Sequence, residues 1–185
     1  YAVEPVNVTS DMRRVAKTVN FGLLYGMQAF GLSRDTGLSR ADAQRFIDQY
    51  WARLPRVRAF FDETLQFGVT HGYVETMSGR RRAAPDLTSS NGQRRMAAER
   101  VAINMPLQGS AADIMKIAML RLDERIRSEK LPAAMILQVH DELVLEVDAN
   151  QVETVGHHVR DVMEHAWQLS VPLEADVSVG DNWNE

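Results

Sequence analysis

Arg13, Lys17, Phe21 and Tyr25 recur every four residues. On an α-helix each step of four turns about 40° past a full revolution, so the four form one slowly winding row. The row begins with two cations and ends with two rings. A nucleoside triphosphate has the same gradient, with anionic phosphates at one end and a flat base at the other. Arg13 and Lys17 suit phosphate oxygens, and Phe21 and Tyr25 suit sugar and base. The spacing equally fits an amphipathic helix with core rings and solvated cations, and alone it leaves both open. Gly22 and Gly26 would let a neighbour approach closely.

His140-Asp141-Glu142 stands between two apolar runs. Adjacent carboxylates at a strand turn repel each other unless water or a cation compensates them. Oxygen ligands of this kind suit Mg²⁺, which binds through one or two carboxylates plus substrate phosphates and keeps several waters. A plain polar turn is the alternative. A His-Asp pair also evokes metal phosphohydrolases, but His71, His157, His158 and His165 show no matching ligand spacing. Arg100, Asn104 and Gln108 again step by four, around Pro106. Their amide and guanidinium donors can meet the acceptors that every base pair offers in the DNA minor groove. A buried polar network explains them equally well. Gly79-Arg80-Arg81-Arg82 and Arg94-Arg95 add positive charge, as a phosphate track or as solvated surface.

Charge is unevenly spread. Residues 11–100 hold 15 Lys and Arg against 9 Asp and Glu, and residues 101–185 hold 6 against 15. The whole chain has net charge -4, so only this asymmetry hints at a polyanion partner. Arg, which forks onto phosphates, outnumbers Lys 18 to 3. With no cysteine there are no disulfides, thiolate nucleophiles or Cys-rich zinc sites. No apolar run reaches the length of a membrane helix, and Tyr1 to Ser10 lacks a signal-peptide pattern. At 45% hydrophobic residues the 185-residue chain can build a core.

These residues need elements to hold them. A helix is expected over 11–25 with Asp11 as its cap, and another from Ser39 to about Arg53. A third should run from Pro55 to about His71, with Val57, Phe60, Phe61, Leu65 and Val69 at helical spacing. Tyr73–Thr76 and Arg81–Ala84 read as a short hairpin around Ser78-Gly79, and Asn91 opens a long helix to about Lys130, bent near Pro106. The period then changes to two. Met135, Leu137 and Val139, then Leu143, Leu145 and Val147, predict a hairpin over 133–148. Asn150 and Glu153 form a capping pair for a helix to about Leu169, and Leu173, Ala175, Val177 and Val179 predict a closing strand over 173–179. The fold class is α+β, a basic, mainly helical first part followed by a small hairpin-bearing part.

Four segments together resemble the C-terminal part of family A DNA polymerases, the bacterial DNA polymerase I group. RRVAKTVNFGLLYG from Arg13 resembles the family's R-x-x-x-K-x-x-x-F-x-x-x-Y-G motif, and VHDELVLEV from Val139 its His-Asp motif. GRRR from Gly79 and AERVAINMPLQGSAAD from Ala98 match between them, in order, over essentially the whole chain. The resemblance implies a fingers subdomain over 1–100 with nucleotide-binding helix 11–25, and a palm subdomain over 101–185. It implies that Arg13, Lys17, Phe21 and Tyr25 bind the incoming nucleotide, with phenylalanine at 21 associated with discrimination against dideoxynucleotides. It implies that Arg100, Asn104, Gln108 and His140 bind DNA, that Asp141 binds metal and is catalytic, and that Glu142 is its neighbouring catalytic carboxylate.

The implied function is addition of deoxynucleotides to a primer 3′-hydroxyl with release of pyrophosphate, in DNA replication and repair. The implied cofactor is Mg²⁺, two ions roughly 3.5–4 Å apart in the complete enzyme. The implied partners are primer–template DNA and deoxynucleoside triphosphates. No membrane is implied, the parent is expected to be a monomer, and the location cytoplasmic and nucleoid-associated. Single-subunit RNA polymerases share the Arg–Lys, Tyr–Gly and His-Asp frame but resemble this chain less. A non-catalytic nucleic-acid-binding module is the other alternative. The family's first motif, D-Y-S-Q-I-E-L-R, is not found, so the chain resembles fingers and later palm, and by itself is expected to be inactive.

Overall fold

The computed structural model describes residues 3–183. Helices alternate with two separate antiparallel hairpins, an α+β architecture. The chain divides into two compact units, Tyr1–Glu75 with Gly79–Leu107, and Thr76–Ser78 with Gln108–Glu185.

The first unit is mainly helical. Pro5–Asn7 is one 3₁₀ turn, and residues 1 and 2, part of the stretch searched for a signal peptide and a first motif, lie outside the described residues. Helix α1 spans Ser10–Leu24. Its cap is Thr9, not Asp11: the Thr9 side chain accepts from the Met12 N–H, while Asp11 pairs with Arg14 at 3.2 Å. Thr9 has extended backbone, as a cap requires, and Asp11 already lies inside the first turn, where its charge suits the helix dipole. Helix α2, Ala29–Thr36, is not foreseen by the sequence. Its buried anchors are only Ala29 and Leu32, too few to set a period, and Gly37 at φ 74° ends it.

Helix α3, Arg40–Arg53, starts where Ser39 accepts from the Asp42 N–H. Helix α4, Pro55–His71, is bounded by Pro55 at its first turn and by Gly72 at φ 78°. Of its periodic apolar residues Phe61 is buried, while Phe60 and Val69 are exposed. Leu23, Leu32, Ala43 and Ile47 form one core, with Val19 and Trp51 against it. Each leucine so buried contributes about 2 kcal/mol.

Strands β1, Tyr73–Glu75, and β2, Arg81–Ala83, pair as expected, with Tyr73 opposite Ala83 and Glu75 opposite Arg81. Helix α5 runs 38 residues, Gly92–Glu129, and is opened by Asn91, whose Oδ1 accepts from the Gln93 and Arg94 N–H groups. Pro106 lies inside it, where the ring removes one backbone donor. Val74, Leu87, Ala102 and Met105 form the second core of this unit.

In the second unit strand β3, Ala133–Val139, pairs with β4, Glu142–Val147. Helix α6, Val152–Glu164, lays Val155, Val159 and Val162 with Leu122 of α5 against Met135, Leu143, Leu145 and Val147. Three expectations need correction here. Met135, Leu137 and Val139 do not line one face. A bulge between Met135 and Leu137 inserts one residue, so Met135 opposes Leu145 but Leu137 opposes Val144. Leu137 is thereby 43% exposed.

Asn150 does not cap α6. Gln151 occupies the cap position without a side-chain bond, and the helix stops at Glu164 rather than near Leu169. Finally, 173–179 is not a strand among the described residues. A strand needs a ladder partner for its backbone. Instead, the Ala175 N–H donates to Glu164 Oε1 and the Ala175 carbonyl accepts from Arg160 Nε, both at 3.2 Å, so α6 side chains satisfy it.

Candidate nucleotide and nucleic-acid site

Helix α1 presents its row outward. Arg13, Lys17, Phe21 and Tyr25 are all exposed, while Leu23 on another face is buried. Lys17 Nζ lies 6.0 Å from the Phe21 ring centre, and the Phe21 and Tyr25 rings stack at 6.1 Å with 28° between their planes. Two aromatic rings 44% and 40% exposed on one helix face are not a core stripe. They offer a flat apolar surface next to a cation. Asn20, on another face, accepts from the Tyr50 hydroxyl at 2.7 Å, which ties α1 to α3. Burial raises the Tyr50 phenol above its ordinary pKa.

The row ends at a sharp turn. Tyr25 closes α1, and Gly26 follows at φ 85°. A Cβ on Gly26 would stand 2.9 Å from Arg100 Cγ, so the structure brings Arg100 of α5 against the end of the row. A cavity of about 650 Å³ opens beside this contact, lined among others by Gly26, Gln28, Phe30, Trp51, Phe61 and Arg100. Sequence reasoning missed Gln28 and Phe30, at the start of the unforeseen α2, and Trp51 of α3, which share no period. Asn104, four residues beyond Arg100, is half-buried, and its Oδ1 has no hydrogen-bond partner among the described residues.

In the second unit Gln108 is exposed on α5. The unusual Gln108-Gly109-Ser110 stretch has a structural reason. Ser110 is buried and its Oγ accepts from the Met77 N–H at 2.9 Å. One turn on, Asp113 accepts from the Ser78 hydroxyl at 2.6 Å. This polar cluster fastens Thr76–Ser78 into the unit, and the sequence pointed to it only as an odd polar patch in an apolar helix.

His140 and Asp141 form the two-residue connection between β3 and β4, and Glu142 is the first residue of β4, opposite Val139. All three are exposed. His140 has φ 53°, a left-handed conformation uncommon for a side-chain-bearing residue. Its carbonyl accepts from Gln138 Nε2 at 2.6 Å, which holds the turn from one side. Gln138 lies outside every motif read from the sequence. No group of three His, Cys, Asp or Glu able to hold a metal occurs among the described residues. The carboxyl side chains at the turn are Asp141 and Glu142, adjacent in the chain. That fits a hard ion such as Mg²⁺, which draws its remaining ligands from water and substrate.

Exposed cations followed by rings lie on α1 and exposed carboxylates on the β3–β4 turn, and the fold that carries them is of the α+β class. Comparison with known proteins narrows the class. The model of DNA polymerase family A matches residues 1–185. The chain belongs to that family. It is 51% identical over 185 residues to the thermostable DNA polymerase I of Thermus filiformis, covering all of this chain and 22% of that one. Against DNA polymerase I of Deinococcus radiodurans identity is 50%, over 98% of this chain and 19% of that one. The Pseudomonas aeruginosa DNA polymerase I is 49% identical, over all of this chain and 20% of its own length.

The chain thus spans about a fifth of the curated relatives it matches. Among solved structures, the POL domain of Pol1 from M. smegmatis, in complex with DNA primer-template and dNTP, superposes with a TM-score of 0.89. Identity there is 42%, over 94% of this chain and 30% of that one. Among the described residues no helix is long and apolar enough to cross a membrane.

Proposed function

We propose that this chain is the nucleotide-binding fingers region and the later palm of a longer template-directed DNA polymerase, which adds deoxynucleotides to a primer 3′-hydroxyl and releases pyrophosphate. The observation that carries this is the exposed row on α1, in which Lys17 lies 6.0 Å from the Phe21 ring centre and the Phe21 and Tyr25 ring centres are 6.1 Å apart. Family membership over residues 1–185 supports it. So does the likeness to a polymerase domain described in complex with DNA primer-template and dNTP. Residues 1–100 are assigned mainly to fingers and 101–185 mainly to palm, as a working division.

In this scheme Arg13 and Lys17 take the triphosphate oxygens, and their charge stabilises the negative charge that grows on them. Phe21 and Tyr25 pack against sugar and base. Arg100, Asn104 and Gln108 meet the acceptor-rich minor groove of the primer–template through their guanidinium and amide donors. His140 lies by the primer end. Asp141, with Glu142 beside it, would hold Mg²⁺, which when bound supplies activation of the primer hydroxyl and neutralises the leaving pyrophosphate. The parent acts as a monomer on nucleoid DNA in the bacterial cytoplasm, in replication and repair.

The deciding experiment is Asp141→Ala in the longer parent. Single-turnover nucleotide incorporation should fall on the order of 10²-fold or more, while primer–template affinity stays within about twofold. Loss of duplex binding with chemistry spared would reverse the assignment and favour a non-catalytic DNA-binding module.

A further inference from the structure

The outer face of the β1–β2 hairpin carries two flat, uncovered plates. His71, the last residue of α4, stacks on Phe67 with ring centres 4.1 Å apart and 21° between planes. Its Nδ1–H donates to the Phe67 carbonyl at 2.9 Å, which fixes the imidazole there. Across the hairpin the Arg81 guanidinium lies 4.4 Å from the centre of the Tyr73 ring, and its Nε donates to Glu75 at 3.3 Å. Tyr73 meets both Phe67 and His71 edge-on, at 5.5 and 6.0 Å, so one cluster backs both plates. Phe67 and Tyr73 are half-buried, yet His71 is exposed and the Arg81 side chain is 64% exposed. The outer layer of His71 and Arg81 faces solvent here; Arg80 and Arg82, also exposed, flank Arg81 along the chain, with Arg82 on the opposite face of β2.

We infer that this face is a stacking platform for single-stranded nucleic acid, with two bases lying on the His71 imidazole and the Arg81 guanidinium and the strand's phosphates drawn by the positive charge of the exposed arginines around the hairpin. Bases stack on aromatic rings and guanidinium planes without regard to sequence, and an adjacent positive track supplies the phosphate contacts. An acidic peptide would use the charge but has no use for the plates. The platform rests on the polymerase assignment only for the choice of DNA as the strand.

The test is fluorescence anisotropy of a fluorescein-labelled dT12 with the 185-residue chain, without metal, nucleotide or primer–template. His71→Ala and Arg81→Lys should each weaken binding about fivefold or more, and His71→Phe should keep it within about twofold. Arg81→Lys retains the charge and loses the plane. An abasic 12-mer should bind more weakly and be insensitive to all three changes. Unchanged dT12 affinity in His71→Ala and Arg81→Lys, or equal losses on the abasic strand, would overturn the platform. Absence of dT12 binding, or equal competition by polyglutamate, would do the same. Primer extension by the longer parent, which tests the polymerase assignment, does not enter this measurement, so the two can fail separately.

Discussion

The stem of Arg100 fills the space where a side chain on Gly26 would project, with Cγ 2.9 Å from an ideal Cβ position. Gly26 also needs φ 85°, which ends α1 just after Tyr25. Both demands act on one residue, so Gly26→Ala should lower unfolding free energy by about 1–3 kcal/mol. Urea denaturation checks it. In the longer parent the same change should weaken nucleotide binding, because the end of the α1 row shifts when Arg100 is displaced.

Lys17 stands between the cationic and aromatic ends of that row, exposed and 6.0 Å from Phe21. A charge-assisted hydrogen bond contributes about 1.5–3 kcal/mol. Lys17→Ala in the parent should therefore weaken nucleotide affinity or slow incorporation by roughly 10–100-fold, read by pre-steady-state kinetics. Unchanged kinetics would mark Lys17 as a solvated lysine.

Ser110 is buried and its Oγ is the acceptor for the Met77 N–H. Ser110→Ala leaves that backbone donor without its partner, at a cost of about 1–3 kcal/mol. Amide exchange at Met77 should accelerate more than exchange along α4. Equal acceleration in both would show general loosening instead.

The Tyr50 hydroxyl donates to Asn20, and burial raises its pKa above the ordinary phenolic value. The folded state then holds its proton at a pH where the unfolded chain has lost it. By linkage, stability is full below the unfolded value of about 10 and falls as pH rises past it. Tyr50→Phe should remove about 0.5–1 kcal/mol at neutral pH and flatten the alkaline decline. Thermal melts between pH 8 and pH 11, as approximate limits, compare the two proteins.

Local signals made much of this legible. Pro55 and Gly72 mark α4, Ser39 caps α3 through the Asp42 N–H, and alternating apolar residues locate both strands around His140-Asp141. Each such cause acts within a few residues, through fixed φ, a capped N–H or a side-chain period, so one sequence suffices to see it. The row on α1 belongs to the same category, since a step of four lies on one face of any helix.

What the tertiary structure alone decided has a different origin. Whether Phe21 and Tyr25 are core or surface depended on which face of α1 Leu32, Ala43 and Ile47 claimed. A bulge turns Leu137 outward in the hairpin, and within 173–179 the backbone of Ala175 bonds to the Arg160 and Glu164 side chains of α6. Arg100 against Gly26, and Arg81 over Tyr73, join residues from different elements. Such contacts form when loop closure is offset by total burial, a sum over the whole unit that no short window of residues contains.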